Sequence, residues 1–285
     1  MNFYYVNSNN EKIDFSDYPY VFQEGDLLDY SWNYETQENT DSNKITSFKK
    51  GITQKSIKIA VIPPFDMTKE EREEKIKEYF NHIFEVFEYD IINDSDGKLY
   101  TDTGYYLPCR IFQSTKSDWN MGLPFMFNDF KVVSANPYWI KEQQRDFTGG
   151  GTSSVKGLNY PYNYPYNYTP VKRGISYWQT DNFSYSDFEL IIYGPCVNPR
   201  ILINNYPYEV FDTLENYEYL IIKSVNEEKS VIKYRNNGTT LNIFDLREKE
   251  NSVFNKIPPG RLTFNWRGDF KFTLKLYEKR SEPKW

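Results

Sequence analysis

Chemistry at a protein site needs a tuned acid, base, nucleophile or metal, and this sequence is poor in the residues that supply one. It holds a single histidine, His82, and two cysteines, Cys109 and Cys196. His82 sits in a helical pattern one residue before Ile83, at the edge of an apolar stripe. It reads as a surface or boundary histidine rather than a general base or lone metal ligand. One histidine excludes a His-rich zinc centre, and two distant cysteines in strand-like contexts do not make a thiolate site. They read as small buried residues of a reduced compartment. Asp94-Ser95-Asp96-Gly97 opens like a calcium loop, but the bidentate glutamate expected beyond the glycine is missing, since Lys98, Leu99, Tyr100, Thr101, Asp102 and Thr103 follow. The segment reads as a solvated turn in which Gly97 takes a positive φ. Gly149-Gly150-Gly151-Thr152 lacks the Gly-Lys-Ser/Thr ending and the following helix of a phosphate loop, and reads as a linker.

Two further chemistries have to be weighed. Trp178, Trp266 and the many tyrosines could stack a sugar, although aromatic residues in sandwich strands are more often core. Carboxylates are abundant, but a glycosidase pair must flank a cleft at a defined separation, which a sequence does not supply. No catalytic, cofactor-binding or metal-binding residue is therefore assigned, no cofactor is expected, and the chain reads as a non-enzyme.

The elements that would position any site are mostly strands. Of 285 residues, 19% are aromatic, with 26 Tyr and 21 Phe, while all hydrophobic residues together reach 39%. Aromatic and β-branched side chains fit a pleated, half-buried surface, and tyrosine is enriched where protein meets protein. A net charge of −6 and a pI of about 5.1 argue against non-specific nucleic-acid binding, which needs a basic footprint. The opening MNFYYVNSNNEKIDF has no basic region followed by an apolar run, so no secretory signal is expected. No stretch approaches the roughly 20 apolar residues of a membrane span.

FYYV at 3–6, a polar turn and IDF predict a hairpin. Leu28, Tyr30, Trp32 and Tyr34 alternate with polar residues, which predicts a strand with one buried face, and Thr36–Lys44 reads as a polar loop. SIKIAVI at 56–62 is a strand closed by Pro63-Pro64. Thr68 with Glu71 has the spacing of a capping box. Ile76, Tyr79, Phe80, Ile83, Phe84 and Phe87 then share one helix face. Strands are predicted in GKLYTDTGYYLPCRIFQ and at 125–134, the latter closed by NPYWIKE at 136–142. Residues 146–170, rich in Gly, Tyr and Pro, carry no core pattern. Eight strand candidates follow between 187 and 278, with turns at Asn236-Asn237-Gly238 and Pro258-Pro259-Gly260, which suggests a β-sandwich.

The order of these pieces resembles the distal tail protein family of siphovirus-like phages. The likeness rests on the opening hairpin, the capped helix after SIKIAVI, GKLY with YYLPCRI, and FKVVSANPYWIKE. It continues through YPYNYPYNY, GPCVNPRILINN, GTTLNIFDLRE, IPPGRLTFNW and the terminal YEKRSEPKW. The resemblance implies a mainly β protein: a β-rich N-terminal hub domain with one helix over 1–140, a connection over 141–172, and a galectin-like β-sandwich over 173–285. It implies a ring, usually of six copies, that joins the tail tube to the baseplate or adhesion apparatus of a virion tail assembled in the bacterial cytoplasm. Its partners would be other copies of itself, the tail tube protein, a tail-tip protein and a receptor-binding protein, with no sequence-specific nucleic acid and no membrane insertion. The alternative reading is a carbohydrate-binding module acting directly in host adhesion. The terminal Glu282–Trp285 is expected to return to the hub, because a tryptophan gains from burial.

Overall fold

The computed structural model describes residues 1–39, 42–116, 123–149, 174–225 and 228–285. The chain divides into two compact units, Met1–Lys141 with Lys279–Trp285, and Glu142–Glu278. The structure is mainly β, as the aromatic and β-branched composition predicts.

In the first unit, Thr53–Val61 pairs antiparallel with Met126–Ser134 on one side and Tyr20–Gly25 on the other. Met126–Ser134 in turn pairs with the later half of Tyr106–Thr115. The opening hairpin, Phe3–Val6 with Lys12–Asp14, joins through Gly97–Thr101 to the first half of the same strand. Every second residue of Met126–Ser134 is buried, the period that gives a strand two unlike faces.

Helix α1, Lys69–Ile92, lies over that covered face. The Thr68 side chain accepts from the Glu71 N–H while the Glu71 carboxylate accepts from the Thr68 N–H, so two otherwise orphaned donors at the helix start are satisfied. Ile76, Phe80, Ile83 and Phe87 are buried as the spacing predicts, and Val86 joins them, while Tyr79 and Phe84 are only partly covered. Phe87 stands edge-on to Tyr5 of the hairpin at 5.3 Å and to Phe130 of the sheet at 5.1 Å, the geometry that aromatic quadrupoles favour.

One carboxylate lies inside this packing. Asp90, on the last turns of α1, has no exposed surface. Its Oδ2 accepts from the Tyr5 hydroxyl at 2.5 Å, and its Oδ1 accepts from the Ser8 N–H at 2.8 Å and the Ser8 hydroxyl at 2.6 Å. Burial, reinforced by Cys109 and Asp90, holds the Tyr5 phenol well above its ordinary pKa, so it stays a donor. The neighbouring Gly97 has a different role from the one its turn context suggests. The positive φ belongs to Asp94 (48°), whereas a Cβ on Gly97 would land on the Tyr5 hydroxyl and the Asp90 carboxylate.

The second unit is a sandwich. In one sheet Asp187–Tyr193 lies between Lys271–Arg280 and Tyr219–Lys223, followed outward by Ser230–Tyr234 and Thr240–Asn242. The part of Trp139–Phe147 from Glu142 onward lies beside Lys271–Arg280. The other sheet runs Gly174–Gln179, Arg261–Trp266, Arg200–Ile203, Tyr206–Glu209. Leu190, Ile222 and Leu274 from the first sheet and Ile201, Leu262 and Phe264 from the second fill one core. Gly238 and Gly260 turn with φ of 81° and 87°, conformations open to glycine. Strand Gly174–Gln179 was not predicted, and Thr240–Asn242 gives way to a short 3₁₀ turn, Phe244–Leu246. The Gly- and Tyr-rich connection lies, from residue 150 to 173, outside the described residues.

Candidate interface site

The residues singled out for chemistry do not assemble into a reaction centre. His82 is exposed on α1. Cys109 and Cys196 are both free and buried. Burial raises the Cys109 thiol pKa and pushes that of Cys196 up to about 12, so both remain protonated thiols without nucleophilic character. Asp94 and Asp96 are each engaged at 2.6 Å by Arg110, which closes the calcium-like turn with a guanidinium. Among the described residues no group of His, Cys, Asp or Glu could hold a metal ion. Trp266 is buried and donates to the Phe270 carbonyl, and Trp178 packs against the same core, so neither is part of an exposed stacking platform.

What stands out instead is apolar surface that nothing covers among the described residues. Asn33–Asn39 and Ser42–Lys49 form an antiparallel hairpin that no other strand pairs among the described residues. The sequence expectations are corrected here. The alternating Leu28–Tyr34 segment is not a buried strand, and the polar stretch 36–44 is largely strand rather than loop. Polar residues pair well in a two-stranded ribbon wet on one side, because the ladder satisfies the backbone whatever the side chains are. A bulge at Glu35/Thr36 keeps Tyr34, Phe48 and Ile45 on one face. They are 63%, 57% and 51% exposed. The opposite face is polar, with Glu35 accepting from the Ser47 hydroxyl and the Lys49 ammonium. This arm is thus amphipathic with its apolar side bare, an arrangement that marks interaction surfaces.

The base of the arm is more tightly built. Lys50 Nζ lies 4.5 Å from the Tyr138 ring centroid, 5.2 Å from Trp32 and 5.5 Å from Tyr30. Burial first, and the charge of Lys55 second, lower its pKa to about 8. Two larger concavities also lie on this unit. A cleft of about 700 Å³ is lined by Phe3, Phe22, Leu27, Leu28 and Tyr30, with Asp29 and Glu282 as its charged groups. Trp285 stands at its rim. The tail does group with the first unit, as expected, but Trp285 is 82% exposed and its indole donates to Glu282. A second groove, about 270 Å³, runs between the end of α1 and Tyr106–Thr115 past Phe84, Ile91, Ile92 and Phe112. Sequence reasoning saw the aromatic alternation of the arm but assigned it to a core, because period two does not say what covers the apolar side.

No protein-family profile matches the chain, and no curated protein matches it. Solved structures do. The SPP1 Dit protein, described as a paradigm of the hub adsorption apparatus in phages that infect Gram-positive bacteria, aligns over 98% of this chain and 99% of its own, with a TM-score of 0.61 and 12% identity. This chain shares the fold of that hub protein. The phage P2 baseplate in its activated conformation with calcium contains a second match, over 99% of both chains, with a TM-score of 0.58 and 14% identity. The same baseplate with strontium gives 0.57. At such identities the hub fold is shared through its pattern of covered faces rather than through particular side chains, so no residue role is carried over from these neighbours.

Proposed function

We propose that this hub-fold protein is a structural component of a phage or phage-like tail tip. In this reading its first unit forms a ring, of six copies, that joins the tail tube to the baseplate and adhesion apparatus. The second unit, a galectin-like sandwich in this reading, belongs to the same tail-tip component, whose partners are a tail-tip protein and a receptor-binding protein. The observation that carries the reading is the likeness to two hub and baseplate proteins over 98–99% of the chain. The surface supports it. A closed ring of identical copies needs two unlike, matching faces on each copy, and the first unit offers a bare apolar arm together with an apolar groove beside the end of α1.

Native mass measured by light scattering over a concentration series tests this. Six copies of a 34.1 kDa chain give a species of about 205 kDa. A chain that stays at 34.1 kDa at every concentration, alone and mixed with its tail tube protein, would count against a ring.

A further inference from the structure

Among the described residues the arm has no sheet partner beyond itself, and a two-stranded ribbon is marginal on its own. Its direction must therefore be set at its base, where both ends meet one cation. Trp32 directly precedes Asn33–Asn39, and Lys50 directly follows Ser42–Lys49. The Lys50 ammonium faces the rings of Tyr138, Trp32 and Tyr30 and donates to the Pro137 carbonyl at 3.0 Å. Trp32 and Tyr138 also touch edge to face, 6.1 Å between centroids. Pro137 and Tyr138 belong to the body of the unit, in the connection between Met126–Ser134 and Trp139–Phe147. Tyr30 and Trp32 come from the chain entering the arm, and Lys50 from the chain leaving it. A second lysine, Lys55, steadies the entering chain by donating to the carbonyls of Asp26 and Asp29.

We propose that Lys50 is a positioning residue, a cation clamp that fixes the direction in which the 33–49 hairpin leaves the first unit. The physical basis is directional. An apolar side chain in the same box would pack against any arrangement of the rings, whereas an ammonium is attracted only over ring faces and along a carbonyl lone pair. Three rings from two separate chain segments satisfy it together in one arrangement. A swing of the arm carries Trp32 and Lys50 away from Tyr138 and Pro137 at once. The inference rests on the reading of the arm as the surface offered to a neighbouring copy, and it adds that the arm is presented ready-aimed rather than aimed on docking, which lowers the ordering cost of association.

Spin labels on the full-length chain, at Lys44→Cys on the arm and Glu70→Cys on α1, report the arm's direction as a distance distribution. With Lys50 in place a single narrow distance is expected. In Lys50→Met the population at that distance falls roughly fivefold to tenfold, the loss expected of a half-buried cation–π contact, and Lys50→Arg restores it. A Lys50→Met distribution as narrow as the parent overturns the clamp. If Lys50→Met lacks a cooperative melt, Tyr138→Leu, which opens one wall and leaves the lysine, is read in the same two ways. Native mass separates the two ideas. A broadened arm supports the clamp and an unbroadened arm overturns it, whatever the mass, while the arm's part in the ring is overturned separately if Tyr34→Ser combined with Phe48→Ser leaves the native mass unchanged.

Discussion

Two aromatic-rich hairpins lie about 30 residues apart in the first unit, and they end in opposite situations. In Phe3–Val6 with Lys12–Asp14, the apolar side is closed over by α1, and Tyr5, Ile13 and Phe15 are at most 1% exposed. In Asn33–Asn39 with Ser42–Lys49, the apolar side carries Tyr34, Ile45 and Phe48 and meets no other element among the described residues. Both use the same local device, alternation across a pleat. The difference lies in what the rest of the chain brings. A 24-residue helix with a matching stripe arrives over the first hairpin, and the Asp90 carboxylate ties the helix to its turn. Nothing in the described residues arrives over the second. A covered face stabilises the fold, whereas a bare one of the same composition is available for assembly.

Substitutions can break this contrast, and the largest effect belongs to the closed hairpin. Phe87→Ala removes the ring between Tyr5 and Phe130 and is expected to cost about 3–5 kcal/mol in chemical denaturation. A loss below about 1 kcal/mol would mean that the helix stripe is not what holds the hairpin. Asp90→Ala leaves the buried Tyr5 hydroxyl with only the distant Cys109 carbonyl, at 3.4 Å, and releases the two Ser8 donors to solvent, with an expected loss of about 1–3 kcal/mol. A neutral result in the same denaturation assay would show that the tie between helix and turn is dispensable. Gly97→Ala pushes a methyl into that same pair and is expected to destabilise by about 1–3 kcal/mol. It should be largely non-additive with Asp90→Ala, because the two changes share one contact; simple additivity would refute the shared contact. The smallest stability effect belongs to the arm. Tyr34→Ser combined with Phe48→Ser should change stability by less than about 0.5 kcal/mol yet lower the native mass at a given concentration. If the mass is unchanged, the bare face is not the assembly surface.

Much of the local structure could be read from neighbouring residues. Thr68 and Glu71 announce the helix start, and Ile76, Phe80, Ile83 and Phe87 announce its buried stripe, because capping and helical periodicity act over three or four residues. The strands between 187 and 278 and the turns at Gly238 and Gly260 are visible for the same reason. The burial of Cys109 and Cys196 could likewise be read from their strand-like contexts.

The interface site was legible only in part. The alternation of Tyr30, Trp32 and Tyr34 was evident, but its exposure was not. The aromatic box around Lys50 needs Tyr138, 88 positions away, and Asp90 is buried only because Tyr5, 85 positions away, reaches it. Even Gly97 was misread from its turn context, since the constraint on it is a phenol and a carboxylate brought in from elsewhere. Composition and periodicity therefore determined which elements form and which of their faces are apolar, since these depend on dihedral preferences and side-chain spacing along a short stretch of chain. The tertiary structure decided which of those faces are covered and which polar groups are enclosed, because covering a face depends on segments that meet only when the whole chain has folded.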